Sequence, residues 1–241
     1  MTPQDIMSKL LAPGFEGDSE LTFALQSAFE KGFPLENLRP LLTSDNLHTQ
    51  AAAAYLVAEI SPSFSMNCVV GEIADLLDSE IVRIRFDAIE ALLGCTTPAD
   101  GAILGRVMLR LDDEVFGVRW KVAQFIRLAE RWQLRLAVEN AAELCPDSAF
   151  PILAKAHGQY LTATTTTVRW LLDHPNPLVR RFGAAVAARP RSVVDEQFLA
   201  MAEASHDVEV REIAAASYRI QLTPIYAVWS STLSRKRASS A

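Results

Sequence analysis

The sequence predicts an all-α fold, an array of about six stacked helical hairpins, on three observations. One pattern is written twice: Leu77-Asp78, Val82-Arg83 and Ala88, then Leu111-Asp112-Asp113, Val118-Arg119 and Ala123. Weaker copies follow, Leu172-Asp173 with Val179-Arg180 and Ala184, and Asp207 with Val210-Arg211 and Ala214-Ala215. Between these marks apolar residues recur at the three- and four-residue spacing of a helix face. Pro and Gly punctuate the chain at intervals of one helix.

The N-terminal segment, 1–33, reads as a helical cap. Ile6, Leu10 and Leu11 start a short helix broken at Pro13-Gly14, and Asp18-Ser19 stands at an N-cap position before Leu21, Leu25 and Phe29, with the helix ending near Gly32. Repeats are expected over 34–222. A short helix over Leu35–Leu42 is followed by Ser44-Asp45, and the Ala51–Ala54 run then permits close packing of the next helix. Leu47-His48 takes the place of the Val-Arg pair there, so this unit counts as a degraded repeat that Pro62 ends.

The next unit pairs a helix from about Ser65 to Leu77 with one from Ile81 to Gly94, where Gly94 is placed as a C-terminal cap. Thr97-Pro98-Ala99-Asp100 is a helix start, and Val115–Ala129 is the second helix of that hairpin. Trp132–Leu144 and a start at Pro146-Asp147-Ser148 fill the gap from Arg119 to Arg180 with one eroded repeat. The Thr162–Thr167 run opens the helix through Leu172, Pro175-Asn176-Pro177 is a turn, and Pro190 is a break. Helices over Val193–Ala204 and Val208–Leu222 close the array. Residues 223–241 form a C-terminal cap with Tyr226 and Trp229, then a tail carrying Arg235-Lys236-Arg237. Measured from His48 to Arg211 the repeats are spaced by 35, 36, about 30, about 30 and 31 residues.

Composition narrows the functional classes. The 241 residues carry a net charge of −6, unevenly: residues 1–80 hold twelve acidic and three basic side chains, and the remainder is mildly basic. Such a balance disfavours phosphate-backbone binding and fits a protein partner with a basic surface facing the acidic third. The N-terminus lacks the pattern of a secretory signal and no apolar run is long enough to span a membrane, so the expected location is the cytoplasm, with no membrane partner. Cys68, Cys95 and Cys145 are widely spaced and read as small core residues.

No catalytic residue, metal site or cofactor is expected, because the four histidines fall in different repeats and no phosphate loop or nucleophile elbow is present. The acids and arginines of the repeated turns read first as a structural ladder. Partner binding is expected at Trp120, Gln124, Arg127 and Arg131, spaced by 4, 3 and 4 residues on one outward stripe, joined by Arg83, Asp87, Glu90 and Arg181.

The acidic turn, the Val-Arg pair and the run of small residues opening a second helix resemble the HEAT-like repeat family over most of residues 40–222. The resemblance implies a right-handed α-solenoid and a scaffold that binds a protein partner on its concave face. It also implies an enzymatic alternative, since HEAT-like arrays include DNA glycosylases and bilin lyases. For a glycosylase the matching residues would be Trp120, Asp87 and Arg127, which the net acidity disfavours.

Overall fold

The structure, a computed structural model, describes residues 1–61, 65–160, 165–189 and 195–221, the side chains of 157–160, 195 and 216–221 excepted. The expected breaks at Pro62 and Pro190, residues 162–164 of the Thr run, the start at Val193, the C-terminal cap and the Arg235-Lys236-Arg237 tail lie outside the described residues, as does the His157 side chain.

Among the described residues the elements are helices, in the order α1 (Pro3–Leu10), α2 (Ser19–Glu30), α3 (Arg39–Leu42, led in by a 3₁₀ turn at Leu35–Leu38), α4 (Leu47–Ile60), α5 (Val70–Asp75, continued by a 3₁₀ turn at Leu76–Asp78) and α6 (Val82–Cys95). Then come α7 (Gly101–Leu109, continued by a 3₁₀ turn at Arg110–Asp112), α8 (Phe116–Leu128), α9 (Arg131–Leu144), α10 (Phe150–Tyr160), α11 (Thr165–Leu172), α12 (Pro177–Ala187), α13 (Asp195–Glu203) and α14 (Val208–Gln221). The chain divides into two compact units, Met1–Ile103 and Leu104–Ala241.

In the N-terminal unit α2, α4 and α6 pack side by side, and α3 and α5 lie against α4 and α6 respectively. Ala53 and Ala54 are buried, so the Ala run does bring α4 close to α6. The Asp18 carboxylate caps α2 by accepting from Glu20 and Leu21 N–H, and Gly32, at φ 98°, lets the chain turn out of that helix. The segment before α2 is tied to α4: Thr49 Oγ1 donates to the Leu10 carbonyl at 2.6 Å and Asn46 Nδ2 to that of Phe15 at 3.0 Å.

Three local expectations are corrected. Gly94 lies inside α6, which runs one residue further and is capped at Thr96 with φ −73°, so no left-handed residue is needed. The expected helix from Ser65 forms only at Val70, because Met66 to Val69 make a turn first. Thr97 and Asp100 bond reciprocally, Thr97 N–H donating to Asp100 Oδ2 at 2.7 Å, in a turn that precedes α7 rather than as its first residues.

In the C-terminal unit α8 packs directly against α12, and α12 against α14, while α10 packs chiefly on α9. The α9–α10 hairpin does occupy the gap between Arg119 and Arg180. It does not separate α8 from α12, as an eroded repeat in simple succession would. Close approach depends on two glycines, since a Cβ at Gly105 would stand 2.7 Å from Asn140 Cβ and one at Gly183 2.7 Å from Leu171 Cβ.

Candidate partner-binding surfaces

The side chains of the repeated turns are built around one hydrogen-bond pattern. A side chain just before each second helix accepts the backbone N–H two residues on: Ser44 from Asn46 (3.2 Å), Ser79 from Ile81 (3.2 Å), Asp113 from Val115 (2.9 Å), Ser148 from Phe150 (3.2 Å), His174 Nδ1 from Asn176 (3.1 Å) and Ser205 from Asp207 (3.2 Å). Six residues after that acceptor, in four of the six turns, stands an arginine whose Nη1 donates back to two turn carbonyls. Arg85 reaches Ser79 and Glu80, Arg119 reaches Asp113 and Glu114, Arg180 reaches His174 and Pro175, and Arg211 reaches Ser205 and His206, at 2.7 to 3.3 Å. Carbonyls in a tight turn lack ladder partners, and one guanidinium satisfies two of them at once.

This register corrects the sequence reading. In α6 the repeated arginine is Arg85, buried, and not Arg83, two residues earlier and exposed. The matching positions are Gln50, Arg85, Arg119, Ala154, Arg180 and Arg211, spaced by 35, 34, 35, 26 and 31 residues. Gln50 donates instead to the Leu42 carbonyl, and Ala154 has no such group.

Arg119, Arg180 and Arg181 also bind acids of other turns and of α14 within the C-terminal unit. Arg180 Nε donates to Asp207 at 2.7 Å; Arg181 bridges Asp112 (2.8 Å) and Glu209 (3.0 Å); Arg119 Nε reaches Glu209 at 2.5 Å. Burial would raise the Asp207 carboxyl, but the Arg180 guanidinium and the N–H groups of Val210 and Glu209 outweigh it and hold its pKa below the ordinary value. Arg181 therefore serves as an internal tie, with a side chain 14% exposed.

The stripe Trp120, Gln124, Arg127, Arg131 is interrupted. Helix α8 ends at Leu128, and Glu130 begins α9 through a reciprocal capping box with Gln133, so Arg131 opens the next helix. Trp120 and Gln124 are half-buried, Arg131 is exposed, and Arg127 is buried beside Phe125 and Ile126. Arg189, just past α12, donates to the Ala129 carbonyl at 2.7 Å and to that of Ile126, closing the end of α8. The remaining candidates, Arg83, Asp87 and Glu90, belong to the N-terminal unit.

There the outer face of α2, α4 and α6 presents groups that the sequence reading passed over. Phe23, 54% exposed, meets half-buried Tyr55 edge to face at 5.9 Å between centroids. Exposed Glu59 lies one turn beyond Tyr55 on α4, and Glu30 lies two turns beyond Phe23 on α2. Arg83 donates to Asp87 at 2.8 Å, its side chain 64% exposed over a carboxylate only 4% exposed, with the guanidinium 5.6 Å from the Phe86 ring. Burial raises the Tyr55 hydroxyl pKa, the Glu59 and Asp87 charges add to it and Arg83 opposes them, so all four groups share one patch.

Among the described residues no group of three or more His, Cys, Asp or Glu is placed to hold a metal, and no helix is long and apolar enough to cross a membrane. Cys95 is buried, while Cys68 and Cys145 are half-buried.

No known family model matches the chain, and no curated protein does. Solved structures do. A designed armadillo repeat protein in complex with the peptide (KR)4 superposes with a TM-score of 0.50 at 14% identity, over 90% of this chain and 98% of that one. A second designed armadillo repeat protein gives 0.47 at 16% identity, over 90% and 98%. The first likeness is one of fold: the chain has the all-α fold of a helical-repeat solenoid.

Proposed function

We propose that the chain is a scaffold that binds another protein, and that the partner offers a basic segment to the N-terminal unit. One observation carries this reading: on the α2–α4–α6 face Phe23 stands open against half-buried Tyr55, with the Glu59 and Asp87 charges acting on Tyr55. An apolar shelf edged by carboxylates suits the aliphatic stems and cationic heads of Lys and Arg. The excess of acids over residues 1–80 attracts such a segment and repels nucleic acid.

The solved armadillo design of the same fold is itself in complex with an alternating Lys-Arg peptide. Support for a basic partner here comes from this chain's own charges. In the C-terminal unit, taken by itself, Trp120, Gln124 and Arg131 are the groups proposed to meet a partner.

The test is calorimetric titration of the full chain with an alternating Lys-Arg octapeptide, a Glu-rich octapeptide and a DNA duplex. Binding of the basic peptide alone, weakened by added salt and by Phe23→Ala with Tyr55→Ala, supports the reading. Equal binding of the acidic peptide, or preference for DNA, ends it.

A further inference from the structure

We infer that Arg83 is a built-in occupant of the N-terminal face, holding the place beside Asp87 that a partner's arginine or lysine takes when it docks. This rests on the basic-partner reading above and assigns one side chain of the face a role opposite to contact.

Four arginines, Arg85, Arg119, Arg180 and Arg211, are fixed by two turn carbonyls each, and Arg83 stands outside that scheme. It pairs within its own helix, with Asp87 four residues on, and lies against the ring of Phe86. The two partners differ sharply in exposure, 64% against 4%. A carboxylate so deeply placed is held where it is by its surroundings, whereas an arginine so exposed loses little by swinging into water.

The carboxylate is thus the fixed half of the pair and the guanidinium the exchangeable half. Tyr55, and Glu59 one turn beyond it, edge the same place from α4, so an incoming cation finds an aromatic surface and a second acid besides Asp87. Exchange of one cation for another keeps a positive charge beside Asp87. A neutral or acidic side chain offers no such replacement, and Arg83 stays in place against it.

The experiment is fluorescence-polarisation titration of a labelled alternating Lys-Arg octapeptide into the full chain at low ionic strength. Arg83→Ala is expected to bind roughly three- to fivefold tighter, the ratio equivalent to one exposed ion pair. Arg83→Lys, which keeps an occupant, stays near the parent. Glu59→Gln, an exposed position that does not threaten folding, binds severalfold more weakly. Weaker or unchanged binding by Arg83→Ala, with the parent still binding, overturns the inference and leaves the basic-partner reading standing. Absence of binding by the parent and every variant overturns both.

Discussion

Arg119 and Glu209 stand 90 residues apart in the sequence and 2.5 Å apart in space, and the same carboxylate takes Arg181 on its other oxygen at 3.0 Å. Glu209 therefore serves two guanidiniums, each 14% exposed. Glu209→Gln is expected to lower the stability of the chain by roughly 2 kcal/mol, the scale of hydrogen bonds to charged groups. Urea unfolding of Glu209→Gln, Arg119→Ala and the double variant checks this, with losses that fall short of additive because the pair shares one contact.

Installing the missing arginine at the first turn should stabilise it. In Gln50→Arg the new guanidinium comes within reach of the Ser44 and Asp45 carbonyls, as Arg85 reaches those of Ser79 and Glu80. A gain of about 1 kcal/mol is expected. The converse change, Arg180→Ala, removes two turn bonds and the Asp207 pair, and costs about 2–3 kcal/mol by thermal or urea denaturation.

Two glycines in helices should respond to alanine with opposite signs. At Gly183 the added methyl meets Leu171 Cβ at 2.7 Å and the Leu171 backbone carbon at 3.1 Å, neither of which can swing aside. Overpacking of about 1–3 kcal/mol outweighs the helix-propensity gain there. Gly71 has nothing within 4 Å, so Gly71→Ala is expected to gain about 0.5–1 kcal/mol. Melting temperatures of the two variants settle the contrast.

Acid should weaken the C-terminal unit through Asp207. Because its native pKa lies below the ordinary value, the fold favours the ionised form; the stabilisation is complete above the unfolded value of about 3.9 and is lost as pH falls through the native one. Asp207→Asn lacks this term, so its urea midpoint is expected to fall less than the parent's between about pH 6 and pH 3.

Much of the architecture was legible because apolar spacing and caps act locally. Asp18 and Gly32 do at the ends of α2 what their chemistry suggests. The register of α6 was not, since Val82-Arg83-Ile84-Arg85 offers two apolar-Arg pairs and only the six-residue reach back to Ser79 selects the second. The Trp120 stripe was drawn through a helix end because the capping box of Glu130 and Gln133 depends on geometry, and Glu130 is not one of the residues that usually signal a cap. Phe23 and Tyr55 carry no mark in the sequence, since the exposure of the Phe23 ring against Tyr55 follows only from where α2 and α4 pack.

The meeting of α8 with α12 across the intervening hairpin has a further result for how the C-terminal unit comes apart. Repeat arrays linked only to their immediate neighbours peel open from an end, one leaf at a time. Here Arg189 clasps one end of α8, Arg181 reaches the turn before the other, and Glu209 of α14 holds Arg119, so α8 and α14 are fastened to each other as well as to α12. Loosening α14 therefore takes the Glu209 carboxylate from Arg119 and Arg181 together, so its loss is felt at α8 and α12 at once.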